Sequence, residues 1–328
     1  MKTPGKLLYL SREEVKALGM GPAEYLAAVE EGLLLRQQGR IQMPPKTEVL
    51  PRPEGFLHAM PCAISGGAYG GLKWISGYDH NPSRGLPALM GLLVLNDGET
   101  GAPLAVMDCM EVTKRRTAAV SGVALRRLAR PGSKTACVLG CGEQGEANLE
   151  MLFHTLPEVE QVRLYNPSLP KAQALQALAR AQWGRQTEIV PTSRQAVEGC
   201  DVVLVAAPGR RDDSIREIRG EWIKPGATVV TVNNDASFVR GAVRQLADKI
   251  YVDDREMYRW CRAGGLYDGI DTPPRELGEL LDGSDPGRQG LEETLFSMPI
   301  GIGVDDLMCA IRLYRLAVEQ GRGSWLPL

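Results

Sequence analysis

Two rhythms of apolar and polar positions divide the chain. From residue 134 onward, short continuous apolar runs alternate with segments of helical spacing. The runs Ala136–Leu139, VRLYN (162–166), EIVP (188–191), DVVLVAA (201–207), ATVVTV (227–232) and KIYVDD (249–254) read as strands. LPKAQALQALARAQWG (169–184), SRQAVEGC (193–200) and ASFVRGAVRQLA (236–247) read as the helices between them. Strands apolar on both faces and separated by helices predict a parallel sheet covered on both sides, an α/β architecture.

The first third follows a different beat. LLYL (7–10) predicts a short strand, and SREEV opens a helix with Ser11 as cap and Glu14 three positions on. A second helix over about 22–38 carries Tyr25, Leu26, Val29, Leu33, Leu34 and Leu35 on one face. Between 41 and about 110, GFLHAMPCAI, YGGLKWISGY, ALMGLLVLND and PLAVMDC read as strands joined by Gly- and Pro-rich turns, with NDGETG as a hairpin signal. This is an α+β domain with its own sheet. A helix follows over 113–132. The segment 262–292, rich in Gly, Pro and Asp, predicts loop with one helical turn. A last helix runs over 303–321, with apolar residues at 307, 308, 311, 314 and 318.

Composition narrows the function. The 328 residues suffice for two domains, and a net charge of −2 offers no basic field for nucleic acid. No apolar stretch approaches the ~18 residues of a membrane span, and the N-terminus shows no secretory leader. Seven cysteines, an odd number without a CxxC pair, fit reduced thiols in a cytoplasmic protein, and three scattered histidines argue against a zinc site. A small-molecule or protein partner is expected.

VLGCGEQGEANLEML places Gly140, Gly142 and Gly145 between a strand and a helix. In that context the first glycine permits a tight turn, the second lets the backbone approach a pyrophosphate, and the third allows close helix–strand packing. The helix N-terminus, with Gln144 in its first turn, offers N–H donors to phosphate. About 20 residues on, where NAD sites usually carry an acidic residue for the ribose, the chain reads YNPSLPK. Asn166, Ser168 and Lys171 tolerate a 2′-phosphate, so the cofactor is NAD or NADP with a lean to NADP.

Candidate substrate contacts lie elsewhere. GGLKWISGY places Lys73 in an apolar strand, TKRRTAAV places Arg115 and Arg116 early in a helix, and MPPKTEVL contains Lys46. Together these form a candidate carboxylate clamp, in which Arg binds bidentately; taken singly, a lysine in a strand such as Lys73 is usually a snorkelling surface residue. VNNDAS puts Asp235 at the carboxyl end of a predicted strand, where ligands sit in such sheets. Its alternative is the N-cap of the following helix.

GLKWISGY, RGLPALMGLLVLNDGETGAPLAVMD, RRTAAVSG, VLGCGEQG, VNNDAS and GIGVDDL together give the chain a resemblance to the ornithine cyclodeaminase/μ-crystallin family, which also holds archaeal-type alanine dehydrogenase and imine reductases. The resemblance implies a substrate-binding and dimerisation domain (1–116 with 305–328), a Rossmann NAD(P)-binding domain (117–304) and a homodimer. It implies that Lys73 and Arg116 bind the substrate carboxylate, that Thr117 contacts cofactor phosphate, and that Asp235 engages the substrate amine. Lys46 stands where relatives often have a second carboxylate-binding Arg. His58, in LHAMP, replaces the Glu of ornithine cyclodeaminases, and the GK-x-E run after the aspartate is missing. The expected activity is hydride transfer at the carbon bearing nitrogen of a small amino or imino acid. The alternatives are a true ornithine cyclodeaminase making proline and ammonia, and a non-catalytic protein that uses NADPH to hold a small ligand.

Overall fold

The computed structural model describes residues 5–208, 216–267, 270 and 273–328. The chain divides into two compact units, Met1–Arg116 with Ile302–Leu328, and Thr117–Gly301. No helix among the described residues is long and apolar enough to cross a membrane.

The first unit begins with β1 (Lys6–Leu10), α1 (Arg12–Ala17) and α2 (Pro22–Gln37). β2 (Ile41–Gln42), β3 (Thr47–Arg52), β4 (Gly55–Ile64), β5 (Tyr69–Tyr78), β6 (Leu89–Asp97) and β7 (Pro103–Asp108) follow, and α3 (Met110–Leu128) leads out of the unit. Ser11 and Glu14 form the expected reciprocal cap of α1, with Ser11 N–H donating to Glu14 Oε2 at 2.8 Å. α3 starts three residues earlier than its apolar spacing predicts. The Asp108 carboxylate is the reason, because its Oδ1 accepts the N–H of Met110 and of Glu111 at 2.9 and 3.3 Å.

With β16 (Ser324–Pro327) at one edge, the sheet of this unit runs β16-β1-β7-β6-β5-β4-β2, with β3 also on β4, and is antiparallel except for the β1–β7 pair. Alternation sends Leu8, Leu10, Leu93, Leu95, Ala105 and Met107 to one face, where all are buried. The C-terminal helix packs on that face and against α2. A glycine allows the close helix–helix approach: a Cβ at Gly32 would lie 3.0 Å from Met308 and 3.1 Å from Val304.

The second unit contains β8 (Thr135–Leu139), α4 (Glu143–Thr155), β9 (Gln161–Tyr165), α5 (Leu169–Trp183), β10 (Glu188–Ile189), α6 (Ser193–Val197), β11 (Val202–Val205) and β12 (Thr228–Thr231). It continues with α7 (Ala242–Leu246), β13 (Lys249–Val252), α8 (Arg255–Ala263), β14 (Arg275–Glu276), α9 (Leu277–Asp282) and β15 (Leu295–Ser297). The chain then returns to the first unit as α10 (Gly303–Gln320) and β16 (Ser324–Pro327).

All eight strands of the second sheet are parallel, in the order β10-β9-β8-β11-β12-β15-β13-β14. The order reverses between β8 and β11, the switch point at which doubly wound Rossmann sheets bind ligands. Two departures from the sequence reading stand out. The helix expected over 236–247 shrinks to α7. Residues 217–218 lie along Ser237 and Phe238, with Ile218 N–H donating to Ser237 O at 3.0 Å, and Gly241 turns the chain at φ +80° before the helix starts. The segment 262–292 is more ordered than expected: among its described residues it holds the end of α8, then β14 and α9.

Asp201 ties the start of β8 to the start of β11. Its Oδ2 accepts from the N–H of Lys134 and Thr135 (2.9 and 3.0 Å) and from Thr135 Oγ1 (2.9 Å), and its Oδ1 pairs with Lys224. Burial opposes ionisation, but Lys224 and the Lys134 and Thr135 donors outweigh it and hold the carboxyl well below the usual carboxylate range. Asp201→Asn is expected to cost about 2 kcal/mol at neutral pH, read from urea unfolding. A depressed folded pKa contributes stability that is present above the unfolded pKa and lost as pH falls through the folded one. The gap between wild type and variant should therefore begin to narrow below about pH 4 and go on narrowing as pH falls further; a gap that stays constant through that acid range would remove the carboxylate from the explanation.

Candidate active site

In the first unit the alternation of β5 turns Lys73 to the inner face, in register with Met60 on β4 and Leu93 on β6. Its side chain is 1% exposed. A lone ammonium there would be prohibitively desolvated, so the site must provide an anion. Asp306 of α10 does: its Oδ2 lies 2.6 Å from Lys73 Nζ. Its Oδ1 accepts a hydrogen bond from Nε of Arg116, on α3, at 3.1 Å. One carboxylate thus bridges two buried cations, and the three side chains carry one net positive charge. Burial and then Arg116 push the Lys73 ammonium down, while Asp306 pulls it back up. Burial pushes the neighbouring Cys109 thiol up to about 12.

His58, on β4, projects from the same face as Lys73, because Met60 opposes Lys73 and His58 opposes Ile75. Its Nε2 sits 2.9 Å from Glu48 Oε2 of β3, and its ring stacks on Phe56 at 4.2 Å. Burial lowers its pKa more than Glu48 raises it, and both Lys46 and Lys73 act in the lowering direction. Lys46 is half-buried just before β3. The structure therefore gathers Lys73 and Arg116 around Asp306, and brings His58 under the field of Lys46 and Lys73.

In the second unit the glycine turn separates into three physical roles. Gly140 has φ +96°, and a Cβ there would lie 2.6 Å from the backbone of Ala206. A Cβ at Gly145 would lie 1.9 Å from Gly140 O, so α4 seats directly on the turn. Gly142, the N-cap of α4, meets nothing within 4 Å, and its backbone faces open space. With no side-chain cap at Gly142, the first-turn N–H groups, those of Gln144 and Gly145 among them, keep their capacity for an anion. This cradle fits a pyrophosphate. A cleft of about 360 Å³ beside it is lined by Gly142, Glu143, Glu146 and Lys171.

Asn166 serves the turn itself. Its Oδ1 accepts the Cys141 N–H at 3.0 Å and its Nδ2 donates to Ser168 O at 3.1 Å. Ser168 is the N-cap of α5, and Lys171 lies exposed in the first turn of that helix. Thr117 is half-buried on α3, directly after Arg116.

Asp235 lies beyond the end of β12, in a turn that precedes α7 by several residues, so it does not cap that helix. Both carboxylate oxygens have protein donors: Arg216 Nη1 to Oδ2 at 3.2 Å, and the Tyr267 N–H to Oδ1 at 3.1 Å. Arg216 Nη1 also donates to Phe238 O at 2.9 Å. Asn234 and Tyr267 both adopt left-handed backbone, at φ +59° and +58°, and the Tyr267 hydroxyl donates to Asn234 Oδ1 at 2.5 Å. Two non-glycine residues in that region mark a turn held by its surroundings.

Sequence reasoning did not single out Asp306, Glu48, Arg216 or Tyr267. Only Asp306 left a readable trace, since two adjacent acidic residues open an otherwise apolar helix in GIGVDDLMCAI.

Residues 8–321 match the profile of the ornithine cyclodeaminase/mu-crystallin family. The chain belongs to this family. Within the ornithine cyclodeaminase/mu-crystallin family, it is 32% identical to the alanine dehydrogenase of Archaeoglobus fulgidus, with 97% of each chain covered. A solved archaeal alanine dehydrogenase dimer with bound NAD superposes at a TM-score of 0.88 with 30% identity, covering 98% of this chain and 99% of the other. The Thermococcus litoralis Δ1-pyrroline-2-carboxylate reductase, solved with NADH and L-proline, superposes at 0.86 with 27% identity, covering 97% and 99%.

Proposed function

We propose that the protein is an NAD(P)-dependent oxidoreductase acting at the C–N bond of a small amino or imino acid, as an amino-acid dehydrogenase or imine reductase. The observation that carries this reading is the buried Lys73–Asp306–Arg116 cluster, in which an ammonium and a guanidinium, the donor types that bind a carboxylate, are held side by side. The family relatives named above, an alanine dehydrogenase and a pyrroline-carboxylate reductase, support it.

Each residue has a part in this reading. Lys73 and Arg116 hold the α-carboxylate, Arg116 by its planar fork, with Lys46 and His58 contributing to the same substrate region. Fixing the carboxylate orients Cα, a positioning effect of several kcal/mol. When bound, a nicotinamide cofactor would supply the hydride chemistry at that carbon. A carboxylate has about four acceptor sites, so Asp235 has capacity beyond Arg216 and Tyr267 and takes a hydrogen bond from the substrate nitrogen. Gly140, Gly142, Gln144 and Gly145 cradle the pyrophosphate, with Thr117 as a further phosphate contact. Asn166, Ser168 and Lys171 place neutral and cationic groups where a carboxylate would repel a 2′-phosphate, which favours NADP over NAD.

The unit carrying Lys73 takes the substrate and dimerisation roles, and the unit carrying the glycine turn takes the cofactor. The outer face of the first sheet supports a homodimer. Trp74 and Leu92 are cross-strand partners there, 40% and 46% exposed, with Tyr9 at 37% on the same face. Exposed apolar surface of this kind marks an interface, and light scattering is expected to give twice the chain mass. The seven buried thiols suit the cytoplasm.

The test is a turnover panel with NADH and NADPH: pyruvate with ammonium, Δ1-pyrroline-2-carboxylate, and L-ornithine with a trace of NAD(P)+. Oxidation of reduced cofactor with either of the first two supports the reading, and tighter binding of NADPH supports the cofactor lean. Silence on all three alongside tight NADPH binding would favour a ligand-holding protein. A second reading has one specific support. His58 stands where cyclodeaminases carry Glu, but Glu48 supplies a carboxylate 2.9 Å from its ring. Proline and ammonia from ornithine without net cofactor reduction would establish that reading.

A further inference from the structure

We infer that Asp306 is a positioning residue of the carboxylate clamp: it keeps Lys73 an ammonium and fixes the Arg116 guanidinium, so the clamp is charged and aimed before substrate arrives. The inference rests on the functional reading above, since it describes how that clamp is prepared.

Several elements turn titratable or charged groups toward Lys73. From α3 comes Arg116, a cation that opposes a second positive charge. From the junction of β7 and α3 comes Cys109, and on β4 lies Cys62; burial pushes both thiols up to about 12, so both are neutral. From β4 comes His58, which burial and the two lysines keep neutral near pH 7. From α10 come Asp305 and Asp306. Asp305 accepts the Ile302 N–H at 3.4 Å and serves the start of its own helix. Asp306 is the carboxylate in contact with Lys73, at 2.6 Å.

Asp306 also sits in the first turn of α10, where the helix dipole favours a negative charge. Its two oxygens go to different cations, which fixes the ammonium and the guanidinium relative to each other. Stability alone does not call for such a cluster, because buried ion groups are often no better than apolar residues of the same volume.

The experiment compares Asp306→Asn and Asp306→Glu with wild type, using Δ1-pyrroline-2-carboxylate and, separately, pyruvate with ammonium, each with NADPH. Without the carboxylate, burial and Arg116 act on Lys73 unopposed and it loses its proton as pH rises. The KM of Asp306→Asn relative to wild type should therefore climb at least about tenfold between about pH 6 and about pH 9. kcat should move less, NADPH affinity should not change, and Asp306→Glu should restore most of the flat profile. A KM ratio that stays constant with pH, whether at unity or raised, would reduce Asp306 to a structural residue and overturn the inference.

Lys73→Met separates the two levels. If it leaves KM untouched, the functional reading of the cluster fails. If it raises KM while Asp306→Asn behaves as wild type, only the role of Asp306 fails. Should Asp306→Asn not fold, or neither substrate turn over, ¹⁵N NMR of the wild-type lysine side chains decides. The Lys73 Nζ signal, assigned by its loss in Lys73→Arg, should be that of an ammonium throughout the neutral range. A neutral amine at that signal overturns the inference.

Discussion

Lys73→Met is expected to lower kcat/KM for the carboxylic substrate by about a thousandfold, close to 4 kcal/mol of lost interaction, with dinucleotide affinity unchanged. The size follows from burial. Lys73 is 1% exposed and bound to Asp306 at 2.6 Å, so its contribution to an incoming carboxylate is not diluted by water. The variant should still fold. Removing Lys73 leaves Arg116 and Asp306 as a matched pair, at 3.1 Å in the wild type, and methionine fills most of the lysine stem's volume. Stability should therefore fall by only about 1–2 kcal/mol. Steady-state kinetics beside a fluorescence titration with NADPH make the measurement. Turnover within a few fold of wild type would place the carboxylate elsewhere.

The glycine turn gives the second large effect, and it comes as a contrast between two positions. Gly145→Ala puts a Cβ 1.9 Å from Gly140 O, a backbone atom that cannot swing aside. α4 must lift from the turn, at a cost of about 3 kcal/mol or more, and the phosphate cradle opens with it. Gly142→Ala meets nothing within 4 Å and keeps a φ of −90° open to any residue. That variant should melt at the wild-type temperature and yet bind dinucleotide at least about tenfold more weakly, because the methyl occupies the space a pyrophosphate would take. Thermal unfolding and NADPH titration of both variants make the comparison. Equal melting of the two would mean that the packing at Gly145 relaxes more easily than its geometry implies.

Much of the architecture was legible before any coordinates. β4, GFLHAMPCAI, and β5, YGGLKWISGY, carry their alternation and their Gly and Pro bounds in the open, and their ends match the predicted ones residue for residue. The parallel strands around the glycine turn declare themselves as unbroken apolar runs. What stayed hidden was short or distant. β14 and β15 have two and three residues, too few for a period to show. Ala, Phe, Val and Leu at 236–246 have helical spacing and predict a helix longer than α7, while the backbone of 237–238 is claimed by residues 217–218.

The candidate site divides the same way. Lys73, Arg116 and Asp235 stand out as charges in apolar surroundings or at strand ends. Their partners do not, because nothing in the local pattern links Arg116 to an aspartate 190 positions later, or Asp235 to Tyr267 across 32. His58 reads from sequence as a lost glutamate, and only the register of β3 on β4 reveals that Glu48 stands beside it.

The return of α10 to the first unit has a consequence for the growing chain. A ribosome emits Lys73 and Arg116 long before Asp306, and everything through Gly301 can emerge while those two cations still await that carboxylate. The unit around the glycine turn is complete by then and can fold first. Until α10 emerges, the nascent chain would own a nucleotide cradle but a first unit in which Lys73 and Arg116 still await Asp306. The first unit therefore closes late: Lys73 and Arg116 can be buried against Asp306 only once α10 has joined the strands made some two hundred residues before it.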